Sequence, residues 1–384
     1  MHGIGRALCS QIMNPKYKKI YCCTPVAFHA NDGFWIRDTG LISNTLRSMG
    51  VESKCIMPLP YYDDDQKEHL IRNEYKNLKS VTWWKNLDID ACVLYSWGAP
   101  KYTLIARAIH KAGIKLVIHM DTSGNFTIND KYKNKYLLLP FVYLKLQAQN
   151  ILRSKHLSYA DVITTAEPVA KHISQLPFYN HSIFQRNFPM PCPVSPKCKY
   201  DGESKRDVIL AIGRWDDERQ KRSQFLMKTI ELFYQGGGTA VTKIYGTLTE
   251  QLIQWHQGLP SEYQKKIQLL GYLKNELLWN EYRQSKILLC TSSFESSHIV
   301  SAEALCCGCS IVTTHRPAQL RCLLWYTTHN SGTISSEDSP ESLALALQQE
   351  LKEWELTHRF PADIASYWQP FFHADKVFNK IFES

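Results

Sequence analysis

Short apolar runs, each followed by a stretch with helical spacing, recur along the whole chain, and the rhythm stops only once, at the four-proline stretch "PMPCPVSPKCKYDGESKRD". Before the stop, "KKIYCCTPVAF" reads as a buried strand, "DTGLISNTLRSMG" as a helix, and a second strand is expected to begin near Val51. "IDACVLYSWG", "KYTLIARAIHKAG", "IKLVIHMD" and "SYADVITTAEPVAKHISQL" carry the alternation onward. After the stop it restarts with "DVILAIGRW", "SQFLMKTIELFYQ", "AVTKIYG", "KIQLLGYL" and "SKILLCTSS", and "CGCSIVTTH" closes it. Strands that alternate with helices close into parallel sheets covered on both faces. At 384 residues the chain exceeds what one core usually holds, so two such domains are expected. The sequence therefore predicts an α/β protein of two doubly wound, Rossmann-like domains, spanning residues 1–190 and 205–365. An aromatic-rich helix over 366–384 is expected to pack back on the first domain.

Charge is divided as sharply as the pattern. Residues 1–190 hold 24 Lys and Arg against 14 Asp and Glu, a balance of +10, whereas residues 191–384 hold 21 against 22, or −1. The first domain is thus expected to meet something anionic, with a merely solvated basic face as the other reading. The start, "MHGIGRALCSQIMNPKYKK", has no apolar core of a signal peptide, and no run reaches the length of a membrane span, which predicts a cytoplasmic protein. The 12 cysteines lie mostly in apolar runs without paired CxxC spacing, so they read as reduced, buried side chains, and no metal site is expected.

Two carboxylates stand out in "FESSHIVSAEALCCGCSIVTT": Glu295, on a loop after the strand "KILLCTSS", and Glu303, on the helix that follows. In open parallel sheets, ligands bind where chains leave the carboxyl ends of strands. The free N–H groups at that helix start, around His298 to Ser301, would favour an anion such as a diphosphate, and a carboxylate on either side can accept hydrogen bonds from sugar hydroxyls, which makes Ser297, His298, Ile299 and Val300 donor-binding candidates.

This segment resembles the E-x7-E motif of family-four GT-B glycosyltransferases, in which the second Glu opens an "EAxxxG" helix. "AIGRWDDERQK" resembles that family's Gly-Arg strand end followed by a Lys, here Gly213, Arg214 and Lys221. "LLGYLKNELLWNEY" is similar to its base-binding loop, "YADVITTAEPVAKHI" to its last N-domain strand and helix, and "QRNFP" to its interdomain Asn segment. The resemblance runs in order along nearly the whole chain and implies a GT-B fold with a central cleft between the domains.

It also implies roles. Arg214 and Lys221 would neutralise a diphosphate leaving group, with Arg219 as the alternative to Lys221. Glu303 would bind the nucleotide ribose and Glu295 the donor sugar, while Tyr272 and Leu277 would lie against the base and Gly33 would let backbone approach the donor. His119, at a strand end, would orient the sugar or stabilise charge, and Asp121 is a weaker candidate for the acceptor side. The expected donor is a nucleotide sugar, a UDP-sugar favoured over a GDP-sugar, with no cofactor. Transfer would retain anomeric configuration, and the acceptor would be a glycan, a lipid-linked glycan or a small molecule. A non-catalytic GT-B-like partner subunit and a sugar-nucleotide epimerase are the rival functions.

One departure stands against the motif. The family usually has Gly-Phe-Gly after the first Glu, where this chain has Ser296, Ser297 and His298, so a backbone less free to take unusual φ values is expected. Asp63, Asp64 and Asp65 look like a solvated turn rather than a metal motif, and Gly236 to Gly238 like a helix end rather than a phosphate loop. "KYKNKYLLLPFVYLKLQAQNILRSKH" interleaves Lys131, Lys133, Lys135, Lys145, Arg153 and Lys155 with apolar residues and has no acid. It suits either the cytoplasmic face of an anionic membrane, reached peripherally, or an ordinary core helix with basic ends; Lys131, Lys133 and Lys135 are candidates for the acceptor side. No nucleic-acid-reading module is present, so no nucleic acid partner is expected.

Overall fold

The computed structural model describes residues 17–63, 65–122, 137–179, 181–202 and 206–383. Two wholly parallel sheets organise it. The first is built from β1 (Ile20–Cys23), β2 (Cys55–Pro58), β3 (Leu70–Asn73), β4 (Ala91–Tyr95), β5 (Lys115–His119), β6 (Val162–Thr165) and β7 (Asn187–Pro189), in the order β3-β2-β1-β4-β5-β6-β7. The second contains β8 (Val208–Gly213), β9 (Val241–Gly246), β10 (Ile267–Gly271), β11 (Ser285–Cys290), β12 (Ser310–Thr313) and β13 (Gly332–Ile334), in the order β10-β9-β8-β11-β12-β13. Strand order reverses between β1 and β4 in one sheet and between β8 and β11 in the other. Loops diverge at such points and leave a crevice, which marks where each domain can hold a ligand.

The central strands are the ones legible as apolar runs, because both of their faces are covered. β1, β4 and β12 are buried along their whole length. The second strand begins at Cys55 rather than near Val51, since Glu52 makes only an isolated bridge to Lys19 before continuous pairing starts. β3, β7 and β13 lie at sheet edges, and each is only three or four residues long.

Of the aspartate run, Asp63 is exposed as in a solvated turn and Asp64 lies outside the described residues, whereas Asp65 departs from that expectation. Asp65 is buried and takes the Arg72 guanidinium through both oxygens, at 2.5 and 2.7 Å, because Arg72 points inward from β3 and its charge needs a partner there. All eleven cysteines among the described residues are free and buried. The helix Ser223–Gln235 ends at Gly236, and Gly237 follows at φ 88°, as a helix terminus requires.

The tail consists of two helices, Pro361–Phe372 and Ala374–Glu383, rather than one. His373 leaves helical geometry at φ −63° and ψ 117° and donates from Nε2 to the Cys198 carbonyl at 2.9 Å. The Val194 N–H donates to Phe372 O at 2.8 Å, so the chain crosses back along the interdomain linker. Val377, Phe378, Ile381 and Phe382 then join Ile20, Cys22, Ile42 and Leu46 in the core of the first domain. Because Phe378 is fully buried there, Phe378→Ala is expected to destabilise the protein by about 3–5 kcal/mol, read as a lowered denaturation midpoint at unchanged slope. A midpoint equal to wild type would show that the tail does not hold the first domain.

Candidate active site

The carboxyl end of β8 opens the site. Gly213 passes under the Trp215 ring, where an added Cβ would stand 3.0 Å from the indole, and Trp215 is itself held by a 2.9 Å bond from its Nε1 to Tyr245 O. The following loop is clamped to the loop after β11. The Ser293 N–H donates to Gln220 O at 2.8 Å, and the Thr291 hydroxyl donates to Lys221 O at 2.6 Å. Arg222 holds a left-handed conformation at φ 56°, donates to Thr291 O at 2.6 Å and forks onto Asp338. This clamp decides which cation points inward. Lys221 reaches Glu295 Oε1 at 2.5 Å, whereas Arg219 is exposed and lies over the Phe294 ring. Arg214 stands at the rim, 68% exposed, held by Asp217 at 3.2 Å and Gln220 at 3.1 Å.

Glu295 is buried yet charged. Burial works against its ionisation, but the His298 and Lys221 neighbours reverse the sign and hold the carboxyl below its ordinary range. Burial pushes the His298 imidazole down to about 4, so at neutral pH Lys221 carries that role. His298 Nδ1 lies 2.7 Å from Ser301 Oγ, and the residue caps the helix Ile299–Cys306 from a left-handed conformation, φ 49° and ψ 73°. The backbone therefore does take the unusual φ that the loss of glycine was expected to hinder; the buried imidazole, held by Ser301, offsets part of the strain. Ser297 is buried, with its carbonyl accepting from Tyr326, and Ile299 and Val300 form the half-buried first turn.

Glu303 sits one turn farther on and is also buried. Burial pushes its carboxyl up to about 7, an effect only partly offset by the Arg37 charge and by the Tyr282 hydroxyl, which donates to Oε2 at 3.0 Å.

From the first domain, β5 delivers His119 and Asp121. His119 is fully buried, with Nδ1 2.7 Å from Thr164 Oγ1, and burial lowers its pKa to about 3. It is neutral, so it can orient a ligand by hydrogen bonding but cannot stabilise charge as a cation. Burial raises Asp121 to about 6, held in check by the Ser297 and Ser296 hydroxyls, which approach it across the interdomain cleft. Gly33 lies within the single-turn helix Asp32–Trp35 rather than in an open loop, because Asn31 caps that turn; a Cβ there would meet only the Asn31 side chain, at 3.2 Å. Tyr272 and Leu277 flank the exit of β10 and are exposed. Lys131, Lys133 and Lys135 lie outside the described residues. No cluster of three or more His, Cys, Asp or Glu that could hold a metal ion occurs among the described residues.

Residues 206–353 match the family model "Glycosyl transferases group 1". Over that span, most of the second domain, the chain is similar to group 1 glycosyltransferases. The whole chain, in turn, has the GT-B fold. It resembles a glycosyltransferase from Rickettsia africae at TM-score 0.63 and 13% identity, over 96% of this chain and 98% of that one. Anabaena HepE in complex with UDP is similar at TM-score 0.60 and 11% identity, over 94% and 98%. Sucrose-phosphate synthase from Thermosynechococcus elongatus follows at 0.58 and 13%, over 95% and 97%. Comparison with curated proteins finds no match.

Within the second domain, two supporting contacts escaped sequence reasoning. Tyr282 holds Glu303 from the neighbouring helix Asn275–Gln284, and Ser301 holds His298. Ser301 was detectable as a polar residue three positions after the cap. Tyr282 was not, because its partner is set by the packing of two helices.

Proposed function

We propose that this protein is a glycosyltransferase that moves a hexose from a nucleotide-diphosphate sugar, a UDP-sugar before a GDP-sugar, to a glycan, lipid-linked or small acceptor with retention of configuration. The observation that carries the proposal is the buried Lys221–Glu295 pair at 2.5 Å, set at the start of the Ile299–Cys306 helix with Arg214 at the rim. Lys221 and Arg214 meet the diphosphate, the helix N-terminus adds its dipole, and Glu295 accepts from sugar hydroxyls. Glu303, once ionised, accepts from the ribose. The likeness to HepE, whose structures hold UDP and UDP with glucose, supports the choice of base.

In the transfer, the bond from the anomeric carbon to the β-phosphate oxygen breaks while the acceptor oxygen bonds to the same face. The acceptor's proton passes to the departing phosphate oxygen, so no separate protein base is needed. His119, which is neutral, and the Asp121 carboxyl would orient the sugar and the acceptor from the opposite wall. A thermal-shift screen of UDP-, GDP-, ADP- and TDP-sugars tests the assignment: a ligand at 100 times its dissociation constant adds about 2.7 kcal/mol to native stability. Slow hydrolysis of the stabilising donor without acceptor is expected to follow. If no nucleotide sugar stabilises the protein or is hydrolysed, the transferase assignment fails in favour of a non-catalytic subunit; epimerised donor as the product identifies an epimerase.

A further inference from the structure

The helix Leu139–Leu157 follows β5 and is turned inside out relative to an ordinary surface helix. Its buried residues are Asn150, His156 and Leu157, anchored by a 2.8 Å contact between His156 Nε2 and Ser96 Oγ and by Arg153 Nε donating to Gly98 O at 3.2 Å. The opposite stripe carries Phe141, Leu144, Lys145, Ala148, Leu152 and Lys155, all exposed and placed at the i, i+3, i+4, i+7, i+11, i+14 positions of one helix face. Phe141 is 73% exposed, Leu144 65%, and the preceding Leu137 90%. Seven of the twenty exposed large apolar side chains among the described residues fall between Leu137 and Leu152. Such clustering marks an interaction surface rather than scattered surface leucines.

We propose that this stripe docks the protein on the surface of an anionic lipid bilayer. Charge selects that occupant. The stripe's only ionic residues are Lys145 and Lys155, the sequence from Lys131 to Ala160 contains no acid, and the domain that bears it carries the +10 balance. A second copy docked face to face would set these lysines near one another, whereas phosphate headgroups neutralise them while Phe141, Leu144 and Leu152 enter the headgroup–acyl boundary. No helix among the described residues is long and apolar enough to cross a membrane, so the contact is peripheral. The topology also places the contact usefully. β5 runs toward the cleft and the helix runs back to feed parallel β6, so the exposed first turns lie at the cleft end of the domain. An acceptor presented at a lipid surface would then face the site.

The proposal stands without the transferase assignment, because docking needs neither donor nor acceptor. The full chain is mixed with vesicles of phosphatidylcholine alone or with phosphatidylglycerol added, then sedimented. The expected result is binding to the mixed vesicles at least tenfold tighter than to phosphatidylcholine. Lys145→Gln and Lys155→Gln should each weaken it about fivefold, and Phe141→Ser with Leu144→Ser at least tenfold. These side chains are exposed, so the melting temperature should stay at the wild-type value. Absence of binding to mixed vesicles, or equal binding by the double serine variant, overturns the proposal. So does vesicle-independent self-association that the serine variant abolishes, which assigns the stripe to a second copy.

Discussion

Arg214→Ala and Lys221→Ala are each expected to lower turnover about 100-fold or more, the usual loss when a fixed charge facing a developing anion is removed. The two variants should differ in stability. Arg214 is largely exposed and its partners are polar surface groups, so its alanine variant should melt like wild type. Lys221 is 12% exposed against a Glu295 that is 7% exposed, and its loss leaves a buried carboxylate without a cation. That variant should therefore lose both turnover and melting temperature. Turnover within about threefold of wild type for both would remove the diphosphate role, and an unchanged melting temperature for Lys221→Ala would show that Glu295 is solvated or protonated when alone.

Glu303→Ala should weaken donor binding by about 10- to 100-fold, the range for hydrogen bonds to a charged acceptor. The protonation of Glu303 yields a second, sharper readout. Its carboxyl titrates near 7 in the folded chain against an ordinary 4.5, so ribose hydroxyls that require the ionised form must displace a proton. Donor binding at about pH 6.5 should release protons, detected by calorimetry in buffers of different ionisation enthalpy, and Glu303→Gln should abolish the release. Between pH 4.5 and 7 the folded chain holds a proton that the unfolded chain has lost, so stability from this residue falls as pH rises through that window and stays low above it. Donor binding with no buffer dependence would place the ribose elsewhere.

The placement of the second domain's charged side chains was largely legible because it is local in sequence. Arg214 and Lys221 share one loop, Glu295 and Glu303 flank one helix start, and short segments with these spacings have few ways to fold. The choice of Lys221 over Arg219 was not legible, since it depends on Thr291 and Ser293 gripping the loop from the next strand over. The backbone at His298 was misjudged for a related reason: a side chain buried against Ser301 and Cys290 holds a φ that residue type alone disfavours.

What the sequence determined by itself was the rhythm of buried strands, the single break between domains and the identity of the charged groups at the strand ends, because periodicity and spacing act within a few residues. Tertiary structure decided the rest. It alone paired Asp65 with Arg72, raised the Glu303 carboxyl by burying it, neutralised His119, broke the tail at His373 to thread it back to the first domain, and left the Leu139–Leu157 helix with its apolar stripe facing outward. Each outcome depends on which surfaces meet across long stretches of chain. Burial sets the cost of a charge or an apolar face, and it is assigned only when those surfaces come together.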